Sequence, residues 1–180
     1  MNVKRISWVF VVALVICLAG ASQIYAAVDA FLTIEGTKQG KFKGEATGAG
    51  AGKISISDFS YMASAPADKN TGMASGRRMH SAITIRKTID QASPQLMQAL
   101  NSNEVLKSVD IEFVHPGPKG PEVYKTIHLT NAIISSIQSA TGGAGSGRAE
   151  TITFTAESQN VEMRNKNGGK SATDDWLAQK

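Results

Sequence analysis

Apolar and polar residues alternate along several short segments of this chain, and this alternation constrains its fold more than any other feature of the sequence. A period of two is typical of a β-strand that buries one face and exposes the other. The longest such segment, 122–139, is long enough for two strands or for one bent strand. The other alternating segments are 29–36, 53–57, 81–87, 109–113 and 151–156.

Glycine- and proline-rich stretches separate these segments at 48–52, 116–121 and 141–147. Such stretches mark turns, and many short strands joined by turns are typical of a sandwich or a barrel. The apolar positions also change parity between Ile56 and Phe59. Because a shift of one residue turns side chains to the other face of a strand, we predict a bulge or a bend there.

One segment departs from the strand pattern and is predicted to be a single short helix. Ser93 is a favoured N-cap residue and is followed by a proline, which suits the first helical position. Leu96, Met97 and Leu100 then lie on one helical face, and Asn101 is a suitable end. We expect this helix to pack over the sheet or over the end of a barrel.

The N-terminus has the order of a secretory signal peptide. Lys4 and Arg5 precede an uninterrupted apolar run, 8–20, and small residues follow up to a predicted cleavage region at 24–27. The run is shorter than the roughly 20 residues that span a bilayer, so a retained membrane anchor is the less favoured alternative. We expect residues 1–26 to be cleaved from an exported precursor. The mature protein would then have no stable membrane anchor and would lie outside the cytoplasm, in the extracellular medium or the periplasm.

Cleavage would also remove the single cysteine, Cys17. The mature chain would then contain no disulfide, no thiolate nucleophile and no cysteine metal site. Its net charge would fall from +4 to about +2. Nucleic-acid-binding domains cluster Lys and Arg on one face, and the isolated pair Arg77 and Arg78 does not form such a cluster, so we predict no nucleic-acid partner.

The sequence contains no recognisable catalytic or metal-binding motif. His80, His115 and His128 lie in three different segments without the spacing of a zinc site, and no serine lies in a Gly-x-Ser-x-Gly motif. Residues 169–171 resemble the end of a phosphate-binding loop, but Arg164 replaces its first glycine. We predict no enzymatic activity, no metal and no cofactor. A secreted hydrolase that uses His80 is the least favoured alternative.

Several segments, in the order in which they occur, resemble the Hcp family, the haemolysin-coregulated proteins that form the inner tube of type VI secretion systems. The most recognisable block is 76–85, and 87–96 follows it and resembles the family's strand-to-helix passage. The segments that resemble its first strand, its late strand pair and its last major strand are 29–36, 122–137 and 150–155. The resemblance covers nearly all of the mature chain.

This resemblance implies a mainly β fold, a small antiparallel β-barrel with one lateral α-helix. It also implies that six copies close into a ring, that rings stack into a hollow tube, and that secreted effectors and a spike protein are the partners. An exported Hcp-like binding module that forms no tube is the alternative, and oligomeric state separates the two. The expected organisation is a signal peptide at 1–26, a barrel domain at 27–163 and a polar tail at 164–180.

The polar stretch 62–76 is predicted to be a long loop, and loops of this length are usually functional or disordered. A ring needs head-to-tail contacts that close. We therefore expect this loop, with Asp68, Lys69, Arg77 and Arg78, to supply contacts between subunits or between rings. The alternative is a mobile loop beside a solvated basic pair.

The N-terminal segment departs from the family, whose members are assembled in the cytoplasm and normally carry no secretory signal. Two explanations stay open. Either the signal peptide is used, or the start codon is misassigned and Val28 is the first residue.

Overall fold

The computed structural model of this chain describes residues 29–76, 78–117, 119–140, 148–165 and 168–175. Within these ranges the chain is mainly β, with one α-helix, α1 (Ser93–Asn101), and a 3-10 turn at Gly48–Gly50. The strands are β1 (Asp29–Gly36), β2 (Gly40–Lys41), β3 (Ile54–Ile56), β4 (Asp58–Ser60), β5 (Ala63–Ser64), β6 (Met79–His80), β7 (Ile83–Thr88), β8 (Leu106–Gly117), β9 (Gly120–Ala140), β10 (Ala149–Thr155), β11 (Ser158–Asn165) and β12 (Gly168–Asp175).

The strands of the main sheet pair in an antiparallel manner and close into a barrel. Their order is β1, β8, β9, β10, β7 and β4, with β2 at the edge beside β1. β3 pairs with β1 while β4 pairs with β7, and only Ser57 separates β3 from β4. The segment 54–60 therefore joins the first and last strands of this order, and the predicted antiparallel β-barrel is confirmed.

The bend predicted between Ile56 and Phe59 is also confirmed, because the chain changes there from pairing with β1 to pairing with β7. At the crossing, the N–H of Ser57 donates a hydrogen bond of 2.7 Å to the carbonyl of Arg86. The same residue's hydroxyl donates to that carbonyl at 3.1 Å. These bonds hold the bend against β7.

Strand β9 is one long strand with a bend, which decides between the two alternatives for this segment. Asn131 adopts a left-handed backbone conformation with φ of 49°. Before the bend β9 pairs with β11, and after it with β10, while β8 pairs along the other side. The hairpin of β11 and β12 therefore branches off the barrel instead of closing it.

Alternating apolar residues point into the barrel and form its core. Ile85, Ile111 and Leu129 have no exposed surface. Burial of one such side chain contributes about 1.5–3 kcal/mol relative to exposure. The core cluster comprises Leu32, Ile34, Phe42, Ile54, Ile56, Ile83, Ile85, Ala92, Leu96, Ala99, Leu106, Val109, Ile111, Ile127, Leu129, Ala132, Ile134, Ile152 and Phe154.

The glycine-rich turn covers part of the outer face of β1. Phe31 alternates with the core residue Leu32, yet it is only 6% exposed because Gly50 lies against its ring. A Cβ atom added to Gly50 would lie 2.2 Å from Cδ1 of Phe31. Only glycine allows this close approach, which accounts for the composition of the predicted turn at 48–52.

Helix α1 lies where the sequence predicts it, but two of its predicted features are wrong. The N-cap residue is Ala92 and not Ser93, because the hydroxyl of Ser93 is engaged with buried charged groups. Leu96 and Ala99 are buried, whereas Met97, predicted on the same face, is 40% exposed. The buried stripe follows the i, i+3 spacing of Leu96 and Ala99, which turns Met97 toward the solvent.

The predicted boundary between barrel domain and tail, at residue 163, lies within β11. Residues 168–175 of the predicted tail form β12, which pairs with β11 along its whole length. The predicted signal peptide at 1–26 and the predicted turn at 141–147 lie outside the described residues. Within the described ranges no helix has the length and apolar character needed to cross a membrane.

Candidate assembly surface

Residues 62–81 form a two-stranded extension of the barrel, which we call the arm. β5 and β6 pair in it, and Ala67 and Ala74 form a further bridge. At its base the N–H of Ser81 donates to the carbonyl of Met62 at 2.8 Å, and the N–H of Met62 donates to the hydroxyl of Ser81 at 2.8 Å. The prediction of a polar loop over 62–76 is therefore wrong in one respect, since the segment has its own strand pairing.

The tip of the arm is a turn organised by Asp68. Its carboxylate accepts hydrogen bonds from the N–H of Asn70 (2.8 Å) and from the N–H and hydroxyl of Thr71 (2.9 and 3.2 Å). The N–H of Thr71, then that of Asn70, then the Thr71 hydroxyl lower the pKa of Asp68 below its usual value. Asp68 thus acts first as the residue that shapes the tip.

The other predicted contact residues occupy different parts of the arm. Lys69 is exposed at the tip, in the turn that Asp68 closes. Arg78 is exposed next to β6, on the returning strand, and Arg77 lies outside the described residues. The positive charges of Lys69 and Arg78 therefore lie at different places along the arm and do not form one patch.

One face of the arm carries methionines, which the sequence analysis did not single out. The register pairs Ser64 with Met79 and places Met62 two residues before Ser64, so both methionines lie on the same face. Met62 is 64% exposed and Met79 is 61% exposed. Met73, near the tip, is 72% exposed. The signal available in the sequence is three methionines within an otherwise polar stretch.

The opposite face of the arm is anchored at its base by an aromatic contact. The hydroxyl of Tyr61 and Nδ1 of His80 are 2.8 Å apart, and the two rings stack with their centroids 6.4 Å apart. Phe59, next to this base, packs edge-on against Phe113 of β8 with centroids 5.3 Å apart. The ammonium of Lys125 lies over both phenylalanine rings, at 5.8 and 5.2 Å. The contact between Tyr61 and His80 joins the arm to the chain that leaves β4, and the other contacts hold β4 against the barrel.

The outer face of the sheet around β8, β9 and β11 is polar. The register aligns Asp110, His128, Asn160 and Thr173 in one row across four strands. Nδ1 of His128 lies 2.5 Å from Oδ1 of Asp110, and the hydroxyl of Thr173 donates to Oδ1 of Asn160 at 3.3 Å. This face, which we call the polar wall, presents hydrogen-bonding groups and no large apolar side chain in that row.

Buried charged groups tie the start of α1 to the barrel. Lys87 has no exposed surface, and its ammonium lies 2.7 Å from Oδ1 of Asp90 and 3.3 Å from Oε2 of Glu150. The hydroxyl of Ser93 accepts a hydrogen bond from Lys87 (3.0 Å) and donates one to Glu150 (2.7 Å). The sequence analysis missed this cluster, although Lys87 continues the inward parity of Ile85.

No group of three or more His, Cys, Asp or Glu side chains among the described residues is arranged to hold a metal ion. A partly open cleft of about 150 Å³ is lined by Glu45, Ala46, Ser55, Thr88, Ile89 and Asp90. That volume is below the roughly 300–1,000 Å³ typical of small-molecule sites. The arm and the polar wall are therefore the surfaces that distinguish this barrel.

Comparison with known proteins places these surfaces in a family. A model of the family described as "Type VI secretion system effector, Hcp" matches residues 31–163. The "Major exported protein" of Pseudomonas aeruginosa is 30% identical over 167 residues, which cover 83% of this chain and 96% of that protein. Among solved structures, "Crystal structure of Hcp protein" matches with 25% identity and a TM-score of 0.75, over 83% of this chain and 100% of that chain. "Secreted protein Hcp3 from Pseudomonas aeruginosa" matches with 26% identity and a TM-score of 0.67, over 84% of this chain and 100% of that chain.

Proposed function

From the membership of this chain in the Hcp family, which makes it a type VI secretion tube protein, we propose that six copies close into a ring and that rings stack into a hollow tube. The observation that carries this proposal is the extent of the family match. Residues 31–163 include the barrel-closing segment, the whole arm, α1 and the bent strand β9. The closed barrel, the arm and the helix therefore all lie within the matched region, and β12 lies beyond it.

Ring closure requires different surfaces on the two sides of each subunit. Among the described residues, β12 pairs only with β11, so one edge of this eight-residue strand offers unpaired backbone groups. Exposed strand edges are natural sites for pairing with another chain. We assign such an edge, together with the arm, to contacts between neighbouring copies.

The arm supplies the contacts between subunits or between rings. It projects from the barrel as a short two-stranded extension, and isolated hairpins of this kind are marginally stable without packing. Lys69 and Arg78 present positive charge to a neighbouring copy, and Asp68 holds the tip in shape. We assign Arg77 to the same contact from its charge and its place in the sequence alone. Contact with a second copy would bury the arm's exposed face and order it further.

The polar wall faces the lumen, and the protein acts there as a structural conduit without catalysis. A lumen through which folded cargo moves requires a hydrated lining, since an apolar lining would bind cargo too firmly to release it. The row from Asp110 to Thr173 supplies such a lining. Effectors are the proposed cargo and a spike protein the proposed partner at the end of the tube.

The N-terminal segment directs export in this proposal. Residues 1–26 have the charge and apolar order of a signal peptide, and a relative is named for its export. The mature protein then lies outside the cytoplasm, without a stable membrane anchor. Intact mass measurement of the protein recovered from the culture medium and the periplasm tests this point. A chain that begins within the predicted cleavage region, 24–27, supports export by this signal. A chain that retains residues 1–26, or one that begins at residue 28, contradicts it.

Electron microscopy of the chain from Ala27 to Lys180 tests the assembly proposal. We expect six-fold rings, and stacks of rings at high protein concentration. The double variant Lys69→Glu/Arg78→Glu reverses the arm charges. It should lose stacks if the arm joins rings, and it should lose rings as well if the arm joins neighbouring copies within a ring. Lys107→Glu is the matched control, since Lys107 is exposed on the barrel and its ammonium lies 3.6 Å from Glu35. If the double variant forms rings and stacks at the normal level, the arm charges do not contribute to the contact. Absence of rings from the unmodified chain would favour the exported binding module.

A further inference from the structure

The most exposed large apolar side chains of the described residues are methionines of the arm. Met73, Met62 and Met79 are 72%, 64% and 61% exposed, and the next is Ile133 at 41%. Met62 and Met79 are neighbours on one face of the arm, and contiguous exposed apolar surface is typical of sites that bind another protein. Methionine, unlike leucine or isoleucine, also carries a sulfur atom that oxidants reach when the side chain is exposed.

We propose that Met62, Met73 and Met79 form an oxidation site that controls whether the arm can bind a second copy of this chain. This inference rests on the proposed function for the identity of the arm's partner. The reactivity of the three sulfur atoms rests only on their exposure. An exported protein encounters peroxides, which supply the oxidant.

The reaction is a two-electron oxidation by hydrogen peroxide. The thioether sulfur attacks one peroxide oxygen, a sulfur–oxygen bond forms and the oxygen–oxygen bond breaks. The sulfur is oxidised, the peroxide is reduced, and the second oxygen leaves as water after proton transfer. The product, methionine sulfoxide, is polar and is returned to methionine by sulfoxide reductases.

The geometry of the arm makes this change local to one face. Met62 and Met79 are diagonal neighbours on the face opposite the contact between Tyr61 and His80. A sulfoxide on that face requires hydrogen bonds, and burying it against another chain without them is unfavourable. The base of the arm is held from the other side, so the arm keeps its position while its contact face becomes polar.

The same reasoning makes assembly and oxidation oppose each other. A methionine buried between two copies is shielded from peroxide, while an oxidised one weakens the contact. Assembled tubes should therefore resist oxidation, and oxidised subunits should stay unassembled. Because the two equilibria are linked, conditions that favour assembly disfavour oxidation, and oxidation disfavours assembly.

Dilute hydrogen peroxide tests the site directly when it is applied to the chain from Ala27 to Lys180 at a protein concentration below that needed for stacking, with peptide mass spectrometry after timed exposure. We expect the three arm methionines to convert before Met97, the internal control on α1 that is 40% exposed. We also expect oxidation to raise the concentration needed for stacking by about tenfold, which corresponds to ~1.4 kcal/mol. Treatment with sulfoxide reductases should restore stacking.

Two triple variants distinguish the effect of methionine oxidation from the effect of losing an apolar contact face. Leucine at positions 62, 73 and 79 keeps the face apolar and cannot be oxidised, so stacking should persist in peroxide. Glutamine at the same positions makes the face polar, so stacking should be lost without peroxide, while Met97→Gln should stack normally. A leucine variant that loses stacking in peroxide as the unmodified chain does, or a glutamine variant that stacks normally, would overturn the proposal.

The experiments give a different result if the proposed function is wrong and the oxidation site is right. If the unmodified chain forms no stacks, the tube assignment fails, and the order of oxidation alone decides the site. Faster conversion of the three arm methionines than of Met97 then still supports an oxidation site on the arm. Conversion no faster than that of Met97 overturns it.

Discussion

Lys87 is fully buried, and the side chains of its partners Asp90 and Glu150 are only 10% and 7% exposed, so its removal should be costly. The Lys87→Met variant leaves Asp90 and Glu150 without their cation, and breaking a buried pair in this way costs about 3–5 kcal/mol. Urea unfolding of the variant measures this loss. Lys107→Met is the matched control, because the pair of Lys107 with Glu35 is more than half exposed and should contribute about 1 kcal/mol or less. Equal losses in the two variants would contradict a structural role for the buried cluster.

Glu104 connects the segment after β1 to the end of α1. It is 1% exposed, and its carboxylate accepts hydrogen bonds from the N–H of Lys38 (2.6 Å) and from the N–H and side-chain amide of Gln39 (both 2.9 Å). Burial is the largest influence on the pKa of Glu104 and raises it. The bonds from Gln39, the N–H of Lys38 and the charge of Lys38 together outweigh burial, so the pKa lies below its usual value of 4.5.

A lowered pKa in the folded state makes stability depend on pH. Ionised Glu104 contributes its full stabilisation above the usual pKa of 4.5, and this contribution is lost as the pH falls through the lower folded-state pKa. In Glu104→Gln this share of the acid dependence should disappear, and the free energy of unfolding at neutral pH should fall. Urea unfolding from neutral to acidic pH measures both effects. An unchanged acid dependence in the variant would contradict this account.

Gln159 is the opposite case, a buried polar side chain that lacks partners. It is 2% exposed, it lies opposite the core residue Leu129, and neither of its amide atoms has a hydrogen-bond partner among the described residues. An unsatisfied buried polar group costs about 1–3 kcal/mol. Gln159→Leu should therefore raise the free energy of unfolding, and Gln159→Glu should lower it. If Gln159→Leu instead destabilises the protein, the amide takes part in an interaction beyond those of the described residues.

At the scale of elements, α1 is held by one narrow stripe. Leu96 is fully buried, whereas its neighbour Met97 is 40% exposed. Leu96→Ala should destabilise the protein by about 2–5 kcal/mol because it opens a cavity under the helix. Met97→Ala should change stability by about 1 kcal/mol or less, since surface substitutions rarely do more. Thermal unfolding compares the two, and similar losses would place Met97 on the buried face after all.

The strands could be predicted because their side chains alternate strictly between core and solvent. Residues 83–86 and 151–155 show this pattern in the sequence and the same pattern of burial in the structure. The arm could not be predicted as strand. Its pairing depends on backbone bonds between Ala63 and His80 and between Ser64 and Met79, and these residues carry little β-propensity.

The residues of the candidate site could be predicted from the sequence, but their arrangement could not, because it depends on hydrogen bonds that the sequence does not show. Asp68 and Lys69 were singled out by charge, but the turn that Asp68 shapes depends on hydrogen bonds to Asn70 and Thr71. Ser93 was misassigned as an N-cap because sequence alone does not show that Lys87 and Glu150 meet across the sheet and take its hydroxyl. Long-range partners therefore overrode a local preference.

At the scale of the whole molecule, closure of the barrel follows from one short segment. Residues 54–60 pair with β1 on one side and with β7 on the other, so the barrel has no free edge there. Open edges remain at the β11–β12 hairpin and along the arm. The fold thus separates a closed, stable barrel from the two extensions that we assign to contacts between copies.

Native mass spectrometry of the chain from Ala27 to Lys180 tests the central claim most directly, because it counts the copies in the particle. A closed ring predicts a discrete species with six times the mass of one chain, maintained on dilution and without a ladder of intermediate masses. A monomer that persists at high protein concentration would contradict the ring and therefore the tube, and would favour an exported barrel that binds its partners as a single copy.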